Sequence, residues 1–311
     1  MRAARFHGPG DLRIEEVPDP VAKRGEVLVQ IECALTDGTD LKAFRRGHPL
    51  LLAELPSPFG HEFCGFDVAS GRRVVAANSA PCGACEMCGR GRPTLCENLL
   101  PLLNGAYAAL LVVPERIARV NLHPVPRTLS SEVAALVEPL ACALHAVEGI
   151  AAGETVAVLG PGPMGLLLCA CLKDVGATVL VAGGSAQRRE LAQEFGATAG
   201  DARDADVVVD ATGKPKGWRD AVHAVRRGGT VVLFSGIAGE IELDAERIHY
   251  EELTLRGAFH HTPQTVRAAL AFLSSGAYPW EALLTHEVAL EQLPALFDSP
   301  PDGYLKAVVR P

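Results

Sequence analysis

The sequence predicts a two-part α/β chain, with a β-rich, irregular first domain followed by a doubly wound parallel sheet. Three observations predict it. From residue 155 short apolar runs alternate with helical patterns. The first 125 or so residues are instead broken by Gly and Pro around β-branched runs. A glycine-rich turn, Gly160-Pro161-Gly162-Pro163-Met164-Gly165, sits where a strand hands over to a helix.

In the first half, Val27–Ile31 and Arg73–Ala76 have the apolar, β-branched texture of strands. The texture changes near residue 128. Ser130-Ser131-Glu132 opens a helix expected to run to about Glu148, where Gly149 stops it. Strands at Thr155–Leu159, Thr178–Ala182, Asp206–Asp210 and Thr230–Phe234 then alternate with helices at Met164–Val175, Ala186–Phe195 and Gly217–Val225. Tyr304–Arg310 is a short strand that could return to the first domain. The expected domains are 1–127, completed by 285–311, and 128–284.

The 311 residues suffice to bury roughly three quarters of the unfolded surface. With 48% hydrophobic and 21% charged residues the composition is that of a soluble globular protein. A formal net charge of −8 argues against nucleic acid and against an anionic membrane surface as partners. The opening Met-Arg-Ala-Ala-Arg-Phe lacks the apolar core of a secretory signal, and no apolar run is long enough to span a bilayer. A cytoplasmic location is the expectation.

The glycine turn has a chemical rationale. One glycine allows the tight turn, one lets backbone approach a pyrophosphate, and one permits close helix–strand packing, while the helix N-terminus offers free N–H groups to phosphate. Gly160, Gly162, Pro163, Met164 and Gly165 are the candidate dinucleotide contacts. NAD binders commonly carry Asp or Glu about 20 residues further on, to bond the ribose 2′-hydroxyl. Here the segment reads Val181-Ala182-Gly183-Gly184-Ser185, with Arg188 and Arg189 following. With no carboxylate to repel a 2′-phosphate, NADP is favoured over NAD; the alternative is a solvated pair of arginines and an indifferent site.

Cys82, Cys85, Cys88 and Cys96 put four of the nine cysteines into residues 82–96. Four thiolates at this spacing match a closed tetrahedral zinc site of structural type. Buried free thiols or an iron–sulfur cluster are the competing readings.

The cysteine cluster, Gly60-His61-Glu62 and the later glycine turn, in this order and spacing, resemble the zinc-containing medium-chain dehydrogenase/reductase family over nearly the whole chain. Glu138-Pro139-Leu140-Ala141, His249-Tyr250-Glu251-Glu252 and Gly257 to Pro263 resemble its polyol and sugar dehydrogenase branch. The resemblance implies a GroES-like catalytic domain with both zinc sites and a Rossmann domain for the nucleotide. It further implies hydride transfer between a secondary alcohol, polyol or sugar and NADP(H) or NAD(H).

The family's first catalytic-zinc ligand is a Cys in a Cys-Gly-Ser/Thr-Asp frame; this chain reads Asp37-Gly38-Thr39-Asp40. Carboxylate oxygen also binds zinc, so Asp37 is the expected first ligand, His61 the second and Glu138 the third. Glu62 is a ligand or a neighbour of one. Such a set is harder than Cys/His/Cys and should hold zinc less tightly. Taken singly, Asp37 could be a turn residue, Glu138 a helix cap and His61 a structural histidine.

By the same resemblance Thr39 begins the proton relay from the alcohol. The relay's next histidine is replaced by Lys42, and His145, His260 and His261 have no assigned part. The chain is also short between Gly65 and Val74, so the shape of the substrate cleft cannot be copied from relatives. A homodimer or homotetramer is expected, with Glu252–Gly257 and Leu283–Val288 as candidate edges. A zinc-independent quinone or enone reductase and a non-catalytic nucleotide-binding protein are the alternatives, separable by zinc content.

Overall fold

The computed structural model describes all residues except 49, 50 and 53. Its contacts divide the chain into two compact units, Met1–Ala141 with Thr262–Pro311, and Cys142–His261. The stretches 128–141 and 262–284 thus group with the β-rich unit. Among the described residues no helix is long and apolar enough to cross a membrane.

In the first unit β1 (Arg2–Gly8), β2 (Asp11–Glu16) and β4 (Ser57–Pro58) form a small antiparallel sheet ordered β2-β1-β4. The larger sheet is built on β3 (Val27–Leu35), β5 (Glu62–Asp67) and β6 (Arg73–Ala76), with β7 (Leu110–Val113) and β8 (Leu122–Pro124) added. Alternation on β3 buries Val29, Ile31 and Cys33 while Gln30 and Glu32 face out, the pattern of a half-buried strand. Helices α1 (Gly38–Arg46), α2 (Glu86–Gly89), α3 (Glu115–Val120) and α4 (Ser131–Ala134) lie along this part of the chain. Phe6 stacks on Phe59, and Phe59, Tyr107 and Phe297 meet edge-on or tilted, at centroid distances of 5.7–6.2 Å in the core beneath them.

The helix expected over 131–148 is two helices. After α4 the chain restarts as α5 (Val137–Val147), because Pro139 has no N–H to give and its ring obstructs the carbonyl of residue 135. The stop at Gly149 is as expected, with a φ of 83°.

The second unit is a six-stranded parallel sheet of β9 (Thr155–Leu159), β10 (Thr178–Ala182), β11 (Thr198–Ala199), β12 (Ala205–Asp210), β13 (Val225–Leu233) and β14 (Thr254–Gly257). Its order, β11-β10-β9-β12-β13-β14, reverses direction between β9 and β12, which is where open α/β sheets take their ligands. Helices α6 (Pro163–Val175), α7 (Ala186–Glu194), α8 (Pro215–Ala224) and α9 (Ala245–Tyr250) connect the strands. Val156, Val158, Val208, Val209, Val231 and Val232 are fully buried, as strands covered on both faces require.

The chain then returns to the first unit through α10 (Pro263–Ser274), β15 (Leu284–Ala289), α11 (Leu293–Asp298) and β16 (Lys306–Arg310). β16 pairs antiparallel with β3, setting Val308 opposite Leu35. β3 in turn sets Leu35 opposite Glu62 of β5. Three strand ends from distant parts of the sequence therefore meet at one place.

Candidate active site and metal centres

The meeting of β3, β5 and β16 creates the site. β3 runs out into Thr36 and Asp37, β5 is entered from His61, and β16 begins at Lys306. Ligand atoms of Asp37, His61 and Glu62 all lie within 4.8 Å of one another, and all three residues are buried.

Asp37 is the N-cap of α1. Its Oδ1 accepts the Asp40 N–H at 2.6 Å, and Asp40 Oδ2 accepts the Asp37 N–H at 3.3 Å, closing a capping box. The other Asp37 oxygen stands 3.9 Å from His61 Nε2. Asp40 Oδ1 lies 3.3 Å from His61 Nδ1, so one carboxylate faces each ring nitrogen. Tyr107 directs its hydroxyl at Asp40 Oδ2 and at Leu35 O, 3.0 Å away. Gly60 is required for this packing: its φ is +89°, and a Cβ there would lie 2.7 Å from the Tyr107 ring.

Burial lowers the affinity of His61 for a proton, but Asp40 and Asp37 outweigh it and raise its pKa well above the ordinary value. Burial raises Asp37, yet His61 and Lys306 bring its net shift below the usual carboxylate range. Glu138 is buried and stands outside the closest trio, but its charge adds to the rise at His61. Thr39 is half-buried on the first turn of α1, its backbone N–H directed at Asp37.

Carboxylate and imidazole donors at these separations fit a divalent ion: zinc takes O and N ligands at about 2.0–2.2 Å, which places neighbouring donors about 3.4 Å apart. The trio needs only small adjustment to reach that. Glu62 has a competing partner, however. Lys306 Nζ lies 2.6 and 2.8 Å from its two oxygens, and both side chains are fully buried.

The sulfur atoms of Cys82, Cys85, Cys88 and Cys96 also fall within 4.8 Å of one another. Four thiolates about 2.3 Å from a tetrahedral zinc stand about 3.8 Å apart, and Cys85 Sγ is 3.9 Å from Cys96 Sγ. Backbone N–H groups point at these sulfurs: Cys82 N to Cys96 Sγ at 3.2 Å, Cys85 N to Cys82 Sγ at 3.3 Å and Asn98 N to Cys96 Sγ at 3.4 Å. The Ala84 N–H, with Asn98 and the Cys85 N–H, holds the Cys82 thiol down to about 6. Donors aimed at sulfur favour thiolate, the form a metal takes.

In the second unit the glycine turn joins β9 to α6 as expected. Gly160 has a φ of 97°, and a Cβ on Gly165 would lie 2.0 Å from Gly160 O, so close packing forbids any other residue there. Gly162 is the N-cap of α6 with open space where its Cβ would be, and Pro163 fills the first helical position. That open space at a 13-residue helix N-terminus fits a pyrophosphate. Met164 follows on the first turn of α6.

At the end of β10, Gly183 and Gly184 have φ values of 82° and 66°. Ser185 Oγ caps α7 by accepting the Arg188 N–H at 3.3 Å. Arg189 folds back and donates from Nη1 to Gly184 O at 2.6 Å and Gly183 O at 3.3 Å. Ser185 and the Arg189 guanidinium thus lie at the loop where a ribose is expected, each with structural work of its own, and Arg188 follows on the first turn of α7.

Sequence reasoning missed Lys306, Tyr107 and His48. Burial and the neighbouring His61 push the His48 pKa down, which puts His48 beside the site. Asp40 could have been found from its spacing to Asp37; nothing local marks Lys306 or Tyr107. Of the histidines without a part, His145 Nδ1 lies 3.0 Å from Glu148, and His260 stacks between Phe259 and His261.

Comparison with known proteins agrees with this architecture. Residues 23–127 match the alcohol dehydrogenase GroES-like domain, and residues 199–275 match the zinc-binding dehydrogenase family. Sorbitol dehydrogenase of Bacillus subtilis is 30% identical, covering 94% of this chain and 91% of its own. L-galactonate-5-dehydrogenase of Escherichia coli is 29% identical, covering 93% and 92%. A Sinorhizobium meliloti structure bound to NADP superposes with a TM-score of 0.88 at 30% identity, covering 100% of this chain and 99% of that one. Together with these relatives, a GroES-like unit followed by a Rossmann unit makes the chain a dehydrogenase of alcohol groups. The chain belongs to the zinc-containing medium-chain dehydrogenase/reductase family, in its polyol and sugar dehydrogenase branch.

Proposed function

We propose that the protein is a zinc- and nicotinamide-dependent dehydrogenase that interconverts a secondary alcohol of a polyol or sugar with its ketone, using NADP(H) in preference to NAD(H). The observation that carries this is the buried trio of Asp37, His61 and Glu62 at the meeting of β3, β5 and β16. Asp37, His61 and Glu138 would hold the catalytic zinc, which when bound supplies a Lewis acid to the substrate oxygen. Asp40, braced by Tyr107, fixes the His61 ring so that Nε2 faces Asp37. The Thr39 hydroxyl would accept a hydrogen bond from the alcohol as its proton leaves and pass its own proton on to solvent, because the family's next relay histidine is replaced here by Lys42. The four cysteines hold a structural zinc. Gly160, Gly162, Pro163, Met164 and Gly165 cradle the pyrophosphate, and Gly183, Gly184, Ser185, Arg188 and Arg189 meet the adenosine ribose.

NADP is supported by the missing carboxylate at the end of β10, by Arg188 and Arg189 that follow it and by the NADP in the Sinorhizobium relative. The five cysteines outside the zinc cluster, none in a disulfide, suit a reducing, cytoplasmic setting. Assembly as a homodimer or homotetramer would use the open edges of β14 and β15. We assign catalysis to the unit Met1–Ala141 with Thr262–Pro311, which includes Glu138, and nucleotide binding to Cys142–His261, boundaries that differ from the expected 1–127 with 285–311 and 128–284. The test is a panel of polyols, sugars and sugar acids with each nicotinamide, followed by its absorbance. Turnover with NADP at the higher kcat/KM is the expected result, and silence with both cofactors across the panel rejects the reading.

A further inference from the structure

We infer that Lys42 and Arg46 on α1, with His48 just beyond them, select a secondary alcohol that carries an anionic group, carboxylate or phosphate, further along its chain. This rests on the dehydrogenase reading above and narrows its substrate class.

α1 turns Asp40, Ala43 and Phe44 inward, the i, i+3, i+4 set of a core-facing helix side. The helix repeat places Thr39, Lys42 and Arg46 within about 60° of one another on a different side. Thr39 and Lys42 are half-buried there and Arg46 is exposed. Along the axis Lys42 stands about 4.5 Å and Arg46 about 10.5 Å from Thr39. Helical side chains lean toward the N-terminus, so both cations reach back in the direction of Thr39. Thr39 carries the hydroxyl assigned to the reacting alcohol. One stripe therefore runs from the reacting end of a substrate to two positive charges several carbons away.

His48 continues the stripe. Its Nδ1 accepts the Leu51 N–H at 3.3 Å, so its own proton sits on Nε2 as a donor for oxygen. Burial and then His61, helped by Arg46 and Lys42 and opposed by Asp37, push its pKa down. Both cations of α1 and the candidate metal ligands are thus its electrostatic neighbours.

A plainer reading exists for part of this. Arg45 and Arg46 lie in the last turn of α1, where the helix dipole favours cations. Lys42 lies earlier, outside that effect, and among the described residues Arg46 has no hydrogen-bond or ion-pair partner. A chain of formal net charge −8 repels anions at long range, so an anionic substrate needs local cations of this kind. A neutral polyol has no use for them.

The experiment compares kcat/KM for an alditol, its aldonate and its phosphate, in the gluco and galacto series, with the zinc-loaded full chain and NADP. An anionic member should be preferred at least tenfold, and whichever leads identifies the anion as carboxylate or phosphate. Arg46→Met should cut that preference at least tenfold, Lys42→Met should lower it as well, and Arg46→Lys should keep it within threefold. Raising ionic strength from about 0.05 to 0.5 M should erode it too. Damage to the fold would slow all three compounds alike and leave the preference intact. Nucleotide phosphates are a second source of the same chemistry, so NADPH is titrated by fluorescence without substrate. Its affinity should fall less than threefold in Arg46→Met. A tenfold fall would assign the cations to the nucleotide and overturn the proposal. Equal kcat/KM for the alditol and its anions overturns it, as does a preference that survives Arg46→Met. Silence of the wild type across both series would reject the dehydrogenase reading, and the proposal with it.

Discussion

Asp37 and His61 face one another at 3.9 Å through Oδ2 and Nε2, while the other Asp37 oxygen caps α1. A carboxylate can do both jobs because it has two oxygens. The consequence is that helix capping and metal binding are separable by substitution. Asp37→Asn keeps an oxygen for the cap but loses the anionic donor, so it should lose the weaker zinc with little change in the Tm of the metal-free protein. Asp37→Ala should lose the zinc and also about 1 kcal/mol of stability. Metal analysis and thermal denaturation of the two variants, side by side, check this; equal Tm values would remove the capping role.

His61 gives a pH dependence of definite sign. Its pKa is raised well above the ordinary value near 6.5. Its interactions with Asp40 and Asp37 therefore stabilise the metal-free protein fully below about pH 6.5 and are lost as pH rises through the folded-state value. Relative to His61→Gln, the metal-free wild type should lose stability as pH rises. Zinc must displace that proton, so zinc affinity at this site should rise over the same window, with proton release measurable in weakly buffered solution.

Glu138→Ala should abolish turnover while leaving nucleotide affinity within a few fold. Fluorescence titration with NADPH, alongside an activity assay, separates the two effects. Unchanged turnover would take Glu138 out of the mechanism.

The two glycines of the nucleotide turn should differ. Gly162→Ala meets open space and should leave Tm within about 2 °C, yet weaken nucleotide binding at least tenfold by filling the phosphate cradle. Gly165→Ala drives a Cβ to 2.0 Å from Gly160 O and should destabilise the fold itself. Nucleotide affinity unchanged in Gly162→Ala would place the pyrophosphate elsewhere.

Cofactor choice is tested at Arg188 and Arg189. Replacing both with Ala should weaken NADP binding at least tenfold more than NAD binding. Equal losses would mean that Arg189 acts only by clamping the Gly183 and Gly184 carbonyls.

Much of this was legible in the sequence because its signals are local. The βαβ alternation, the glycine turn and the cysteine spacing each lie within one short window, where period and turn chemistry fix the outcome. Pro139 broke the helix expected over 131–148, an effect visible in principle but overridden there by the apolar pattern around it. Lys306 was not legible at all. It reads as one more lysine at the head of a strand, and its meaning comes from pairing β16 with β3, some 270 residues away. Tyr107 is the same kind of case, an unremarked aromatic whose hydroxyl matters only because β3 and α1 deliver Asp40 to it.

That long return has a consequence for biogenesis. Cys142–His261 is a continuous segment and contains every strand of its own sheet, whereas the β-rich unit lacks β15 and β16 until the intervening segment has been made. Closure over such a separation is slow and entropically costly. On the ribosome the nucleotide fold can therefore be finished while the zinc pocket still lacks a wall. The place where Asp37, His61 and Glu62 gather is completed only once Lys306 has been added to Glu62.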